Sequence, residues 1–144
     1  DQLYLLSTKD APNGRIMRVD LARSQSLAEA ATVKPAGDLV LSELLSGNGR
    51  VYAVGQRDGL SAIVEVRADG SSAPISLPMQ GRVTGAFSQG GDRPVTFAMQ
   101  DFFNAPRFFR LRGEQVEPLG LDSASFKATT PLVERRETAR IEDG

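Results

Sequence analysis

Three stretches of this chain alternate apolar and polar residues in the same way and at nearly the same interval. The apolar runs "LYLLSTKD", "VYAVGQRD" and "VTFAMQDF" begin at Leu3, Val51 and Val95, spacings of 48 and 44 residues. After each comes a short polar or Gly/Pro break, then a second strand-like run in which apolar and charged residues alternate. Ile16-Met17-Arg18-Val19-Asp20 aligns with Ile63-Val64-Glu65-Val66-Arg67 and with Phe108-Phe109-Arg110-Leu111-Arg112. Alternation with a period of two is the mark of a half-buried strand. The runs at 3–6, 51–54 and 95–99 are therefore expected to be equivalent central strands, with Ile16, Ile63 and Phe108 at matching places.

A period in the middle forties built from short strands predicts β-propeller blades, each a four-stranded antiparallel sheet. The remaining strands fit around the repeated pairs. "LVLSELLSGNG" reads as the inner strand of one blade, and its Asn48-Gly49 is a strong two-residue hairpin signal. Asp69-Gly70 turns the chain into "SAPISLP", an outer strand whose prolines suit an edge. The next blade reads "RVTGAFS", "PVTFAMQ", "PRFFRLRG" and "QVEPLG". Counting back, the chain starts past the first strand of an earlier blade, which makes about two and three-quarter blades of an all-β partial propeller. A β-sandwich is the competing architecture, because it also strings short strands between regular turns. Residues 27–31 carry local helix preference. Val64, Phe97 and Phe109 are expected to be buried between blades, as are the phenylalanines of 102–109 in general.

Composition narrows the chemistry more than the fold. The net charge of −1, with mixed signs along the chain, supplies no electrostatic footprint for nucleic acid or an anionic membrane. No apolar run approaches the ~20 residues of a helical membrane span. Cysteine is absent, so cysteine usage does not separate cytoplasm from periplasm. Histidine is absent as well. A Ser-His-Asp or Cys-His apparatus needs an imidazole as proton relay, and a zinc site without His and Cys loses its preferred ligands. "AFSQG" at 86–90 lacks the first glycine of a nucleophile elbow. "SGNGR" and "SQGGDRP" lack the lysine-serine/threonine ending of a phosphate loop and read as hairpin turns. No catalytic, cofactor-binding or metal-ligating residue is therefore assigned.

The succession of blades also resembles the last blades of the propeller in the prolyl oligopeptidase family. An apolar strand, an aspartate, a short turn and a valine-rich strand ending in glycine are matched by Asp58, Val64, Val66 and Gly70. Leucine-proline before a glycine-x-valine-x-glycine step is matched by Leu77, Pro78, Gly81, Val83 and Gly85. A phenylalanine-rich strand, a proline and a hydrophobic-arginine strand are matched by Phe97, Phe102, Pro106, Phe109 and Arg110. "DAPNGRIMRVDLA" is similar to the preceding blade, and "VERRETARIEDG" to the chain leaving the propeller. The likeness runs in order along essentially the whole chain. Gly55 and Asp101 depart from it, standing where the family often has an aromatic and a small hydroxyl residue.

The resemblance implies a serine peptidase that cleaves short peptides after proline. A seven-bladed propeller caps an α/β-hydrolase domain and admits only small proline-containing peptides. Residues 1–132 are then the last blades, and 133–144 a strand and turn leading into the catalytic domain. The opening on Asp1 and the close on "EDG" read as the ends of a fragment, and with no histidine and no nucleophile elbow the segment by itself is expected to be inactive. Its bare blade faces, or exchange of the 133–141 strand, are expected to drive self-association. The alternative is a stand-alone β-propeller module that binds a protein partner and carries no enzyme.

Overall fold

The alternating runs fold into three antiparallel sheets laid one after another. The computed structural model describes residues 2–23, 26–34 and 37–121, together with positions 133, 135 and 137. The first sheet contains β1 (Gln2–Ser7), β2 (Arg15–Asp20) and β3 (Ala31–Lys34). The second contains β4 (Val40–Gly47), β5 (Arg50–Arg57), β6 (Leu60–Val66) and β7 (Ser72–Pro74). The third contains β8 (Arg82–Phe87), β9 (Val95–Gln100), β10 (Arg107–Arg112) and β11 (Gln115–Pro118). Within each sheet every strand pairs with its neighbour in sequence. Consecutive meanders of three, four and four strands are propeller blades, and they exclude the sandwich, whose Greek-key connections interleave strands from two sheets.

The equivalence read from the repeat is visible in the register. Ile16 lies opposite Leu6, Ile63 opposite Val54 and Phe108 opposite Ala98. Leu6, Val54 and Ala98 are each the fourth residue of the aligned apolar runs. Tight turns set this register locally. Asn48 and Gly49 (φ 53° and 68°), like Asp58 and Gly59 (φ 51° and 75°), hold the left-handed pair of conformations that matches the twist of a two-residue hairpin.

The core lies between sheets. One cluster joins the first sheet to the second through Ile16, Val33, Leu41, Ala53 and Val64. The other joins the second to the third through Tyr52, Ile63, Phe97, Phe109 and Leu111. Val64, Phe97 and Phe109 are buried, as the strand phase requires. A polar seam reinforces the second contact. Glu65 is buried and its carboxylate accepts a hydrogen bond from Arg50 at 2.8 Å, which supplies the partner a buried charge needs. The Tyr52 hydroxyl donates to the Gly113 carbonyl at 3.0 Å, and the Asn48 side-chain amide to the Leu111 carbonyl at 3.2 Å.

Three expectations change in detail. Phe102 is 90% exposed and packs between no blades, because it falls in the β9–β10 connection, beyond the ladder that fixes side-chain direction. The outer strand is shorter than "SAPISLP": β7 stops at Pro74, whose successor Ile75 still donates to the Ile63 carbonyl at 2.9 Å. The helix preference at 27–31 yields one 3-10 turn, Leu27–Glu29, closed by mutual hydrogen bonding between Ser26 and Glu29. Apart from positions 133, 135 and 137, the strand expected at 133–141 lies outside the described residues.

Candidate functional site

A concavity opens where the second and third sheets meet, at the end carrying the Asp58-Gly59 hairpin. Its volume is about 590 Å³, and its walls come from Asp58 to Leu60, Gln80 to Arg82 and Gln100 to Phe102, with Arg135 and Glu137 alongside. Hydrogen bonds beside the cavity tie the two sheets together. The Ser61 N–H donates to the Gly81 carbonyl at 2.9 Å, and the Ser61 hydroxyl accepts from the Val83 N–H at 2.9 Å. On its other side Gly81 abuts β9 so closely that a Cβ there would stand 2.3 Å from the Gln100 carbonyl oxygen. Only glycine allows the connection between the blades to run this way.

Asp101 builds the rim. Its carboxylate accepts from the Phe103 and Asn104 backbone N–H groups at 2.8 and 2.7 Å, and from the Asn104 side-chain amide on both oxygens. Desolvation pushes its pKa up, but the hydrogen bonds from Asn104 and Phe103, helped by Arg107, outweigh it and hold the carboxyl below the usual range. A carboxylate engaged by Phe103 and Asn104 in this way shapes the loop. Arg135 and Glu137 pair with each other at 2.9 Å. Phe102 projects beside them, an aromatic ring in solvent.

These groups offer hydrogen-bonding and aromatic contacts to a partner. The Ser61 hydroxyl, next to the lining residue Leu60, accepts from the Val83 amide, and the chain contains no histidine to activate it. Among the described residues no group of three or more His, Cys, Asp or Glu is placed to hold a metal ion. The two glycine-rich stretches bond to each other: Asn48 N–H donates to the Arg93 carbonyl and Gly49 N–H to the Gly91 carbonyl, each at 3.0 Å. Amides that a phosphate would require are thereby used as a blade clasp.

Three residues singled out by family likeness, Asp58, Gly81 and Phe102, converge on this cleft from three separate connections. Ser61, Gln80, Arg82 and Gln100 carried no sequence signal. Asp101-x-x-Asn104 carried a weak one, the aspartate loop signature of a side chain capping its own backbone.

No family model matches the chain, and no curated protein matches it by sequence. Solved structures do match it. One is a prolyl endopeptidase, from a pair analysed for the role of inter-domain dynamics in catalysis and specificity. It aligns with a TM-score of 0.72 and 17% identity over 82% of this chain. The fold is that of the prolyl oligopeptidase propeller. A second structure, prolyl oligopeptidase B from Galerina marginata bound to a 25-mer macrocyclization substrate, aligns with a TM-score of 0.70 and 14% identity over 86% of this chain. The chain spans 18% of the length of each. At these identities the likeness is one of fold.

Proposed function

We propose that this chain is a non-catalytic arc of the propeller in a prolyl oligopeptidase-like serine peptidase. Residues 1–132 supply blades, and 133–144 lead towards an α/β-hydrolase domain of the same parent chain. The observation that carries the reading is the fold likeness to two prolyl oligopeptidases across 82 and 86% of the chain. It is supported by a segment with no histidine and no serine elbow, which needs its chemistry supplied from elsewhere.

In this reading the arc controls which peptides reach the catalytic domain. The blades are held face to face by apolar seams and by the clasps at Asn48, Tyr52 and Ser61. Such a wall excludes folded or long chains and passes short proline-containing peptides. Loosening the wall should change substrate size selection and leave the chemical step alone.

The test is a pair of measurements. The isolated segment should neither hydrolyse a chromogenic glycyl-prolyl substrate nor take up a serine-directed fluorophosphonate. In the parent enzyme, Tyr52→Phe together with Asn48→Ala removes the side-chain bonds to the Gly113 and Leu111 carbonyls. The double variant should raise kcat/KM for long proline-containing peptides while the chromogenic substrate stays within about twofold, less than 0.5 kcal/mol of transition-state stabilisation. Equal changes for both substrates would sink the gating reading. A parent chain that continues into further blades with no hydrolase domain would replace it with a protein-interaction module.

A further inference from the structure

The second and third sheets are finished differently at their two ends. At one end lie the Asn48-Gly49 hairpin, the β8–β9 connection with Gly90 and Gly91, and the β10–β11 turn at Gly113. Polar groups there bond across the seam. The Asn48 and Gly49 N–H groups donate to the Arg93 and Gly91 carbonyls, and the Tyr52 hydroxyl donates to that of Gly113. The Ser88 hydroxyl donates to the Ser46 carbonyl and accepts from the Ser46 N–H. This end is closed on itself. At the other end the antiparallel pairing gathers Asp58-Gly59, Gln80-Gly81 and the Asp101–Asn104 loop around the cleft. Blades stack through their sheet faces, so a further blade at either side of the stack leaves this strand end open.

The open end holds an aromatic ring in solvent on a braced loop. The Asp101 carboxylate accepts from the Phe103 and Asn104 amides and from the Asn104 side chain, which fixes the backbone on both sides of Phe102. Phe102 nonetheless stands 90% exposed. A ring held out in this way loses little backbone freedom when a partner covers it. Around it Asp58, Gln80, Arg82 and Gln100 line the cleft with polar groups. An apolar anchor inside a polar rim is the anatomy of a protein interface. The course of the chain selects the partner. β10 leaves this end at Arg107 and β11 returns to it at Pro118, where the Leu119 N–H donates to the Phe108 carbonyl at 2.9 Å. Arg135 and Glu137, farther along the chain, stand beside the same cleft.

We propose that the cleft end, anchored by Phe102, docks the α/β-hydrolase domain of the same parent chain. An apolar recess on that domain receives the ring, and polar groups around the recess meet Gln80, Arg82 and Gln100. The inference rests on the peptidase reading and adds to it which end of the blades meets the catalytic domain and which side chain holds it there. A domain tethered through the chain that leaves β11 is present at an effective concentration on the order of millimolar. Weak contacts suffice at such a concentration, so one aromatic anchor with a polar rim can hold the two domains together and still let them part.

Photocrosslinking in the parent enzyme tests it. p-Benzoylphenylalanine replaces Phe102 in one variant and Gln115, exposed at the closed end, in a second. Irradiation should tie position 102 to peptides of the hydrolase domain and position 115 to none of them. Phe102→Ser changes an exposed ring, so the circular dichroism of the parent should persist. Amide exchange in the hydrolase peptides that position 102 reaches should then quicken by about fivefold or more. Crosslinks from 102 confined to the propeller, or to an added proline-containing peptide, would overturn the proposal. So would equal crosslinking from both positions, or unchanged exchange in Phe102→Ser. A parent that takes up no serine-directed fluorophosphonate sinks the peptidase reading and this inference together. A labelled parent whose position 102 never reaches the hydrolase domain sinks this inference alone.

Discussion

Truncating Phe109 to alanine separates the two faces of β10 energetically. The Phe109 side chain is 6% exposed, lies opposite Phe97 in the ladder and holds its ring centroid 5.6 Å from that of Phe97 at an interplanar angle of 31°. It sits in the cluster that joins the second and third sheets, so nothing short of blade separation would fill the void. Phenylalanine-to-alanine changes at such sites cost about 3–5 kcal/mol, the sum of lost transfer energy and a residual cavity. Adjacent Phe108 points to the opposite face and is half-buried, so its truncation should cost less than half as much. Urea unfolding followed by circular dichroism gives both values, provided the slope against denaturant is unchanged. For a chain near 150 residues, a loss of about 3 kcal/mol should also lower Tm by roughly 6–12 °C. A loss below about 1 kcal/mol for Phe109→Ala, or equal losses at both positions, would refute the assignment of faces.

Other expectations follow from single contacts. Gly81→Ala places a methyl 2.3 Å from the Gln100 carbonyl oxygen, and backbone cannot swing aside as a side chain can; a loss of about 1–3 kcal/mol in urea unfolding is expected. Tyr52→Phe deletes the hydroxyl donated to Gly113 and should cost about 0.5–1.5 kcal/mol. Burial raises the Tyr52 pKa, so the folded state favours the protonated phenol. That contribution is present below the ordinary tyrosine value and is lost as pH rises through the folded value, and Tyr52→Phe should flatten the alkaline limb of a stability–pH profile. Asp101 has the opposite sign. Its folded pKa is lowered by the Asn104 and Phe103 hydrogen bonds against the pull of desolvation, so its contribution is present above the ordinary aspartate value and lost as pH falls through the folded one. Asp101→Asn should remove that acid-limb loss, and the Asn104 amide resonance should titrate with the loop.

The repeat was legible in the sequence because its physics is short-ranged. Side chains alternate across a strand with a period of two, and Asn-Gly or Asp-Gly closes a hairpin within four residues, so the apolar runs at 3–6, 51–54 and 95–99 marked β1, β5 and β9 before any contact was known. The phase of Val64, Phe97 and Phe109 followed from the same alternation. Which face meets which neighbour was not legible, since alternation distinguishes two faces without saying what covers either. Ile63 and Phe108 occupy one register position, and only the third sheet's presence behind the first of them separates 1% exposure from half-exposure. Phe102 escaped the rule altogether, lying outside the ladder. The cleft was the least legible feature: Asp58, Gly81 and Gln100 belong to three local structures, and each is ordinary within its own. Sequence alone thus determined the blades and their order, through forces acting over a few residues. The tertiary structure decided the seams and the cleft, because those depend on how one finished sheet packs against the next.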